Sequence, residues 1–201
     1  MWPLVQAQLK KKQVVESVNA IAIQDWFQDL LAKKGFHQAF QVLILHWESA
    51  HSAFLLEDPQ VSVRAMQLED LPGVQRVDQK AFGPIWRNSL AKLKRAHEMA
   101  AVATVVEEEG QIIGYQISTA GAMGGHLARL AVLPDYQGQG VGTALVVNLL
   151  KSFEKQGFVE VTVNTQSNNM GSIKLYKKLG FVEGPDSFPV YQLDLGEGEP
   201  V

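Results

Sequence analysis

The chain has 201 residues and a mass of 22.2 kDa, is 46% hydrophobic, and carries 18 basic against 21 acidic side chains, a net charge of −3 with a pI near 6.0. That makes one ordinary domain, with or without a sizeable extension, and enough apolar residues for a substantial core. The lack of cysteine excludes a disulfide scaffold, thiol catalysis and cysteine-ligated zinc or iron–sulfur sites, and the weak acidity speaks against a nucleic-acid partner.

Apolar runs such as 99–106 and 144–147 fall far short of the ~20 residues of a membrane helix. Lys10, Lys11 and Lys12 follow the first apolar residues rather than precede them, the wrong order for a secretory signal. A cytoplasmic protein without a metal, membrane or nucleic-acid partner is expected.

The first sixty residues predict a solvated helix end at Lys10–Lys12, a helix over 25–34 and a strand over 41–47. Glu57-Asp58-Pro59 marks a break, so 1–57 reads as an α/β extension and 58–201 as the main domain. A strand is expected over 61–66. A helix then opens at Leu68, with Leu71, Val74, Val77 and Ala81 at helical spacing, and stops at Gly83-Pro84. A basic helix over 89–98 carries Lys92, Lys94 and Arg95. Strands 101–106 and 111–119 form a hairpin, with Glu107–Gly110 read as its solvated tip. The glycine-rich stretch 121–125 leads to a strand over 127–133 and a polar loop over 134–142. An amphipathic helix follows over 143–156, then a strand over 158–165 and a helix over 168–179. Two short closing strands, 181–183 and 188–195, precede a frayed tail, 196–201. From residue 61 the order is β-α-α-β-β-β-α-β-α-β-β, an α+β or mixed α/β sheet rather than a helix bundle.

The sharpest local feature is Gln137-Gly138-Gln139-Gly140-Val141-Gly142, between a strand and a helix. Alternating glycines let the backbone turn tightly and bring N–H groups toward a ligand, and the helix end that follows favours an anion such as a pyrophosphate. The competing reading is a tight connection that binds nothing. The dinucleotide fingerprint needs a glycine where Thr143 stands, and the P-loop needs a lysine that Thr143-Ala144 does not supply. A phosphate bound here belongs to another ligand class.

The run from Leu127 through Val132, Pro134 and Gln137 to Gly142 resembles the acetyl-CoA-binding core of the GNAT superfamily of N-acetyltransferases. The family signature Gln/Arg-x-x-Gly-x-Gly/Ala is met by Gln137, Gly140 and Gly142. Downstream, Asn169 through Tyr176 to Gly180-Phe181 resembles the family's second motif, Asn-x-x-Ala-x-x-x-Tyr followed by Gly-Phe, with Ser172 in place of the alanine. The similarity covers roughly residues 61–195. It implies a GNAT-like fold, a central mixed, mostly antiparallel sheet flanked by helices. The strand ending at Val132 would splay from its parallel neighbour, freeing backbone groups at Leu130, Ala131 and Val132 for the pantetheine. The pyrophosphate would rest on Gln137, Gly138, Gln139, Gly140, Val141, Gly142 and Thr143, with Asn169, Ser172 and Tyr176 completing the acetyl-CoA site.

Acetyl transfer needs a neutral amine, an oxyanion donor and a proton for the departing thiolate. The resemblance implies Tyr176 as that proton donor and the Val132 N–H as the oxyanion donor. The base stays open: Gly124 and Gly125 stand where some relatives carry a glutamate, and His126 is either a proton relay or an ordinary strand-start histidine. Arg129 either faces substrate or flanks the sheet. The loop 83–87, with Trp86, and the basic helix are expected to border the acceptor. The expected activity is acetyl transfer to a primary amine of a protein, peptide or small molecule. The alternatives are a non-catalytic acyl-CoA-binding module or a transferase using another acyl-CoA. A homodimer is a common state in the family.

Residues Leu30–Phe36 align with Leu175–Phe181, each run ending in Gly-Phe before an apolar strand. In that register Leu31 stands where Tyr176 stands. The extension therefore reads either as a degenerate GNAT-like half repeat or as a generic glycine-capped helix; packing of this segment requires Leu31 and Phe36 to be buried.

Overall fold

A computed structural model describes residues 17–52, 60–122 and 124–195, together with Gln8. The lysine triplet at 10–12, the break at 57–59, Met123 and the tail from 196 lie outside the described residues. In chain order the elements are strand β1 (Ser17–Ile21), helix α1 (Asp25–Lys33), β2 (His37–Glu48), β3 (Arg64–Ala65), α2 (Leu71–Ala81), α3 (Leu90–Glu98), β4 (Val102–Glu108), β5 (Gln111–Gly121), β6 (Gly124–Val132), α4 (Val141–Lys155), β7 (Glu160–Gln166), α5 (Met170–Lys178) and β8 (Val182–Asp194). Among the described residues no helix is long and apolar enough to cross a membrane. The fold is α+β with a mixed sheet.

The chain divides into two compact units, one of residues 1–43, 165–170 and 185–201, the other of residues 44–164 and 171–184. In the second unit β7, β6, β5, β4 and β3 are neighbours in that order. The β3–β4, β4–β5 and β5–β6 pairs are antiparallel and β6–β7 is parallel. One core cluster joins Leu71, Val74 and Val77 of α2 and Leu93 of α3 to Val105, Ile113, Tyr115, Ile117 and Ala131 of the sheet. Helix α4 is buried along most of its length, with Leu145, Leu149, Leu150 and Phe153 fully enclosed. Each such side chain contributes about 1.5–3 kcal/mol through burial.

In the first unit β1 pairs antiparallel with β8, from Ser17 opposite Asp194 to Ile21 opposite Val190. Leu31 of α1 and Phe36, which precedes β2, are buried with Ala22 against Val18, Ala20, Phe27, Tyr191 and Leu193.

Several expectations need correction. The two closing strands are one continuous strand, β8. The expected gap at 184–187, with Gly184 and Pro185, lies inside the strand, and further along it the Pro189 carbonyl accepts from the Ala22 N–H at 3.0 Å. Strand β1 was not anticipated, because five residues of weak alternation become a strand only through pairing. The strand expected over 61–66 is reduced to Arg64–Ala65 on β4. Leu68–Asp70 forms a 3-10 turn ahead of α2, held by a capping box between Gln67 and Asp70. Glu107 is not part of a hairpin tip: it lies in β4 and accepts from Arg64, while Glu109 and Gly110 make the turn with positive φ. The glycines at 121–125 are strand ends and a tight turn rather than a loop.

Candidate active site

The second unit contains an opening in its sheet. The parallel β6–β7 ladder runs only from Gly125 opposite Val161 to Leu127 opposite Val163, while β6 continues to Val132. Beyond Leu127 one edge of β6 has no ladder partner among the described residues. The Leu133 N–H points to β5, donating to Ile113 O at 2.8 Å. By strand alternation the N–H groups of Leu130 and Val132 point the other way, to the open edge. Ala131 turns its side chain into the core. The Val132 carbonyl at this edge accepts from Gln137 Nε2 at 3.1 Å, which ties the glycine loop to the strand end.

That loop begins with a 3-10 turn at Pro134–Tyr136, whose Asp135 carbonyl accepts from Gln139 Nε2 at 2.8 Å. Gly138 and Gly140 both take left-handed φ, 78° and 88°, which a side chain would strain. Residues 138–140 are exposed. No side chain caps α4, so the N–H groups of Val141, Gly142 and Thr143 remain available at the positive end of its dipole. The helix starts two residues earlier than the pattern predicts because Gly140 makes the turn. A Cβ on Gly142 would lie 3.2 Å from Leu175 and 3.8 Å from Val132. Glycine there lets α4 approach both α5 and the free end of β6.

Tyr176 follows Leu175 on α5. Its ring is buried and lies 5.5 Å from Phe181 at 55°. Its hydroxyl makes no hydrogen bond among the described residues, yet it is not one of the sealed polar atoms, which are Asn19 Oδ1 and Trp47 Nε1. Burial pushes the Tyr176 pKa well above the ordinary phenol value. Ser172, four residues earlier, shares its helix face. Asn169 belongs to the other unit, where its N–H donates to Gln166 O at 3.0 Å. His126 lies at the paired end of β6, with Nδ1 2.8 Å from Thr162 Oγ1 and its pKa lowered by burial. Val132 is six strand steps further on, about 20 Å along the chain.

Sequence reasoning missed a buried ionic cluster beside this edge. Asp78 of α2, fully enclosed, accepts through Oδ2 from Tyr115 Oη at 2.5 Å, Arg129 Nε at 2.9 Å and Arg129 Nη2 at 2.6 Å. Its Oδ1 accepts from the Asn88 N–H at 2.7 Å. Arg129 Nη2 also donates to Trp86 O at 2.6 Å, and the guanidinium lies 3.6 Å from the Phe82 ring centroid. One ion pair thus binds the segment 82–88 to β5, β6 and α2. Burial and the neighbouring Asp78 both raise the Tyr115 pKa. The available signal was an acid at position 78, four residues after Val74 and seven after Leu71, on the buried stripe of α2.

A sequence profile described as the acetyltransferase (GNAT) family matches residues 63–181. Among curated proteins, the [ribosomal protein bS18]-alanine N-acetyltransferase of Escherichia coli strain K12 is 26% identical over 122 residues, 61% of this chain and 81% of that one. Among solved structures, a GCN5-related N-acetyltransferase from Sphaerobacter thermophilus superposes with a TM-score of 0.68 at 16% identity, covering 92% of this chain and 62% of that one. The PaiA N-acetyltransferase of Thermoplasma acidophilum, solved with coenzyme A, gives a TM-score of 0.59 at 18% identity over 68% of this chain and 99% of that one.

Proposed function

Because the chain belongs to the acetyltransferase (GNAT) family, we propose that it transfers an acetyl group from acetyl-CoA directly to a primary amine of a peptide or protein, with Tyr176 as general acid. The observation that carries this reading is the open edge of β6 beside the glycine loop and the uncapped start of α4.

The residues present suit that co-substrate. The free N–H groups of Leu130 and Val132 offer an extended amide chain the pairing a further strand would make. Gly138, Gly140 and the first-turn N–H groups of α4 offer donors to a pyrophosphate without side-chain bulk. When bound, acetyl-CoA supplies an activated acetyl group as a thioester. The Val132 N–H, directed to the open edge, donates to a carbonyl oxygen held there. Tyr176 holds a proton at its hydroxyl through the whole working pH range, because burial disfavours the phenolate. Placed beside a departing thiolate, the hydroxyl donates a hydrogen bond and passes its proton as the sulfur leaves, and the proton the amine releases as the amide forms restores the phenol. The E. coli relative, named for an alanine of ribosomal protein bS18, supports a polypeptide amine as acceptor.

Isothermal titration with acetyl-CoA, using desulfo-CoA and adenosine diphosphate as controls, tests the reading. Micromolar binding followed by thiol release with a panel of amines is the expected result. Binding without transfer to any amine supports instead a non-catalytic acyl-CoA-binding module. No binding up to millimolar acetyl-CoA overturns both.

A further inference from the structure

The guanidinium of Arg129 is incompletely used. Nε and Nη2 are committed to Asp78 and to the Trp86 carbonyl. Nη1 makes no hydrogen bond among the described residues, and it is not a sealed atom, so it reaches solvent while the side chain as a whole is only 17% exposed. A surface arginine that lacks a partner is ordinary. This one is different because Asp78, the Phe82 ring and the Trp86 carbonyl together hold the planar group in one orientation, leaving a single donor nitrogen exposed.

Its position is also specific. Arg129 lies between Leu127, the last residue of β6 paired to β7, and Leu130, the first whose N–H faces the open edge. The segment it fixes, 82–88, therefore stands over the part of the strand where pairing ends. The buried Asp78 carboxylate already balances the guanidinium charge. A second carboxylate would gain little there, whereas a neutral carbonyl oxygen suits a preoriented N–H donor.

We infer that Arg129 Nη1 binds the carbonyl oxygen next to the acceptor amine, so that the enzyme selects α-amino carbonyl compounds, such as peptide N-termini and amino-acid amides, over simple alkyl amines. The inference rests on the acetyltransferase reading above and adds the substrate class and the residue that reads it. Arg129 is a binding residue in this account, with Asp78 and Tyr115 as positioning residues behind it.

The test compares L-alaninamide with 1-fluoro-2-aminopropane. The fluorine lowers the basicity of the second amine, as a carbonyl does, but accepts hydrogen bonds only weakly. Rates are followed by release of free CoA thiol and expressed per neutral amine. The wild-type protein is expected to favour alaninamide by about 10- to 100-fold in kcat/KM, the range a hydrogen bond from a charged donor commands. In Arg129→Lys, which keeps a cation beside Asp78 but loses the fork, the preference should fall to within about threefold, with acetyl-CoA affinity unchanged. An unchanged preference in a folded Arg129→Lys protein overturns the inference. Should that variant fail to fold, as judged by its thermal melt, the wild-type ratio decides alone: equal kcat/KM for the two amines overturns it. Acetylation of carbonyl-free amines while alaninamide is refused does the same. Absence of transfer to every amine condemns the acetyltransferase reading instead.

Discussion

Two helix ends in this molecule share one backbone turn, and Leu31 in one stands where Tyr176 stands in the other. At the end of α1, Lys34 N and Phe36 N donate to Leu31 O at 2.9 and 3.1 Å, and Gly35 N donates to Ala32 O at 3.0 Å. At the end of α5, Leu179 N and Phe181 N donate to Tyr176 O, both at 3.0 Å, and Gly180 N donates to Lys177 O at 3.1 Å. Gly35 and Gly180 take φ of 85° and 89°. Each is a glycine-terminated helix that turns its following phenylalanine back onto the helix before a long strand. The end of α4 makes the same turn, with Gln156 N and Phe158 N donating to Phe153 O at 3.0 Å, Gly157 N donating to Glu154 O at 2.9 Å and Gly157 at φ 87°, so the correspondence fits a generic glycine-capped helix as well as a half repeat. The two ends differ in what they do with the side chain: Leu31 packs into a small apolar cluster, while Tyr176 keeps a hydroxyl that makes no hydrogen bond among the described residues.

The largest expected effect breaks that comparison at Tyr176, which stands where the other end has Leu31. Tyr176→Phe should lower kcat by about 10- to 1000-fold while acetyl-CoA affinity stays within about threefold, measured by thiol release and titration. Retention of wild-type kcat would remove Tyr176 from the chemistry. The wild-type rate should also show no fall at alkaline pH from this group, since its raised pKa keeps the hydroxyl protonated where an ordinary tyrosine begins to ionise.

The reciprocal change sharpens the contrast. Leu31→Tyr should destabilise the protein by about 1–3 kcal/mol, through overpacking and a hydroxyl forced into the Ala22–Phe36 cluster. It should restore nothing to Tyr176→Phe; rescue of turnover by the double variant would show that the two helix ends are chemically interchangeable.

Gly35→Ala probes the shared turn itself. The added Cβ would meet only Leu193 at an ordinary 3.7 Å, so the cost is confined to the left-handed backbone, about 1–2 kcal/mol in a denaturant titration. A loss above about 3 kcal/mol would mean that packing, not φ, requires this glycine.

The smallest effect concerns His126. Burial lowers its pKa, so the unfolded chain binds the proton more readily than the native one. Its contribution to stability is complete above the ordinary histidine pKa of about 6.5 and is lost as pH falls from there toward the folded value. His126→Gln should flatten this part of the melting-temperature profile; an unchanged slope below pH 6.5 would place the titration elsewhere.

Much of the site was legible because its chemistry is local. Gln137 through Gly142 declare a tight turn into a helix, and the structure places Gly138 and Gly140 in the φ region that only glycine enters freely. Leu145, Leu149, Leu150 and Phe153 declare a helix by spacing, and it forms. Less visible was what depends on distant partners. Asp78, Tyr115 and Arg129 are 37 and 51 residues apart along the chain as hydrogen-bonded pairs, and no periodicity joins them. The acid on the apolar stripe of α2 was a clue to burial but named no partner.

The sequence by itself determined the element order from residue 61 through 179, the turn glycines and the family motifs, because helix periodicity, glycine's freedom at positive φ and motif spacing act over a few residues. Only the tertiary structure decided that β8 runs unbroken through Gly184 and Pro185, that β6 loses its parallel partner after Leu127, and that Arg129 is fixed with one nitrogen left to donate. Strand pairing and buried charge are settled by what lies across the sheet or under the helix, and the free energy of those contacts depends on neighbours remote in the chain.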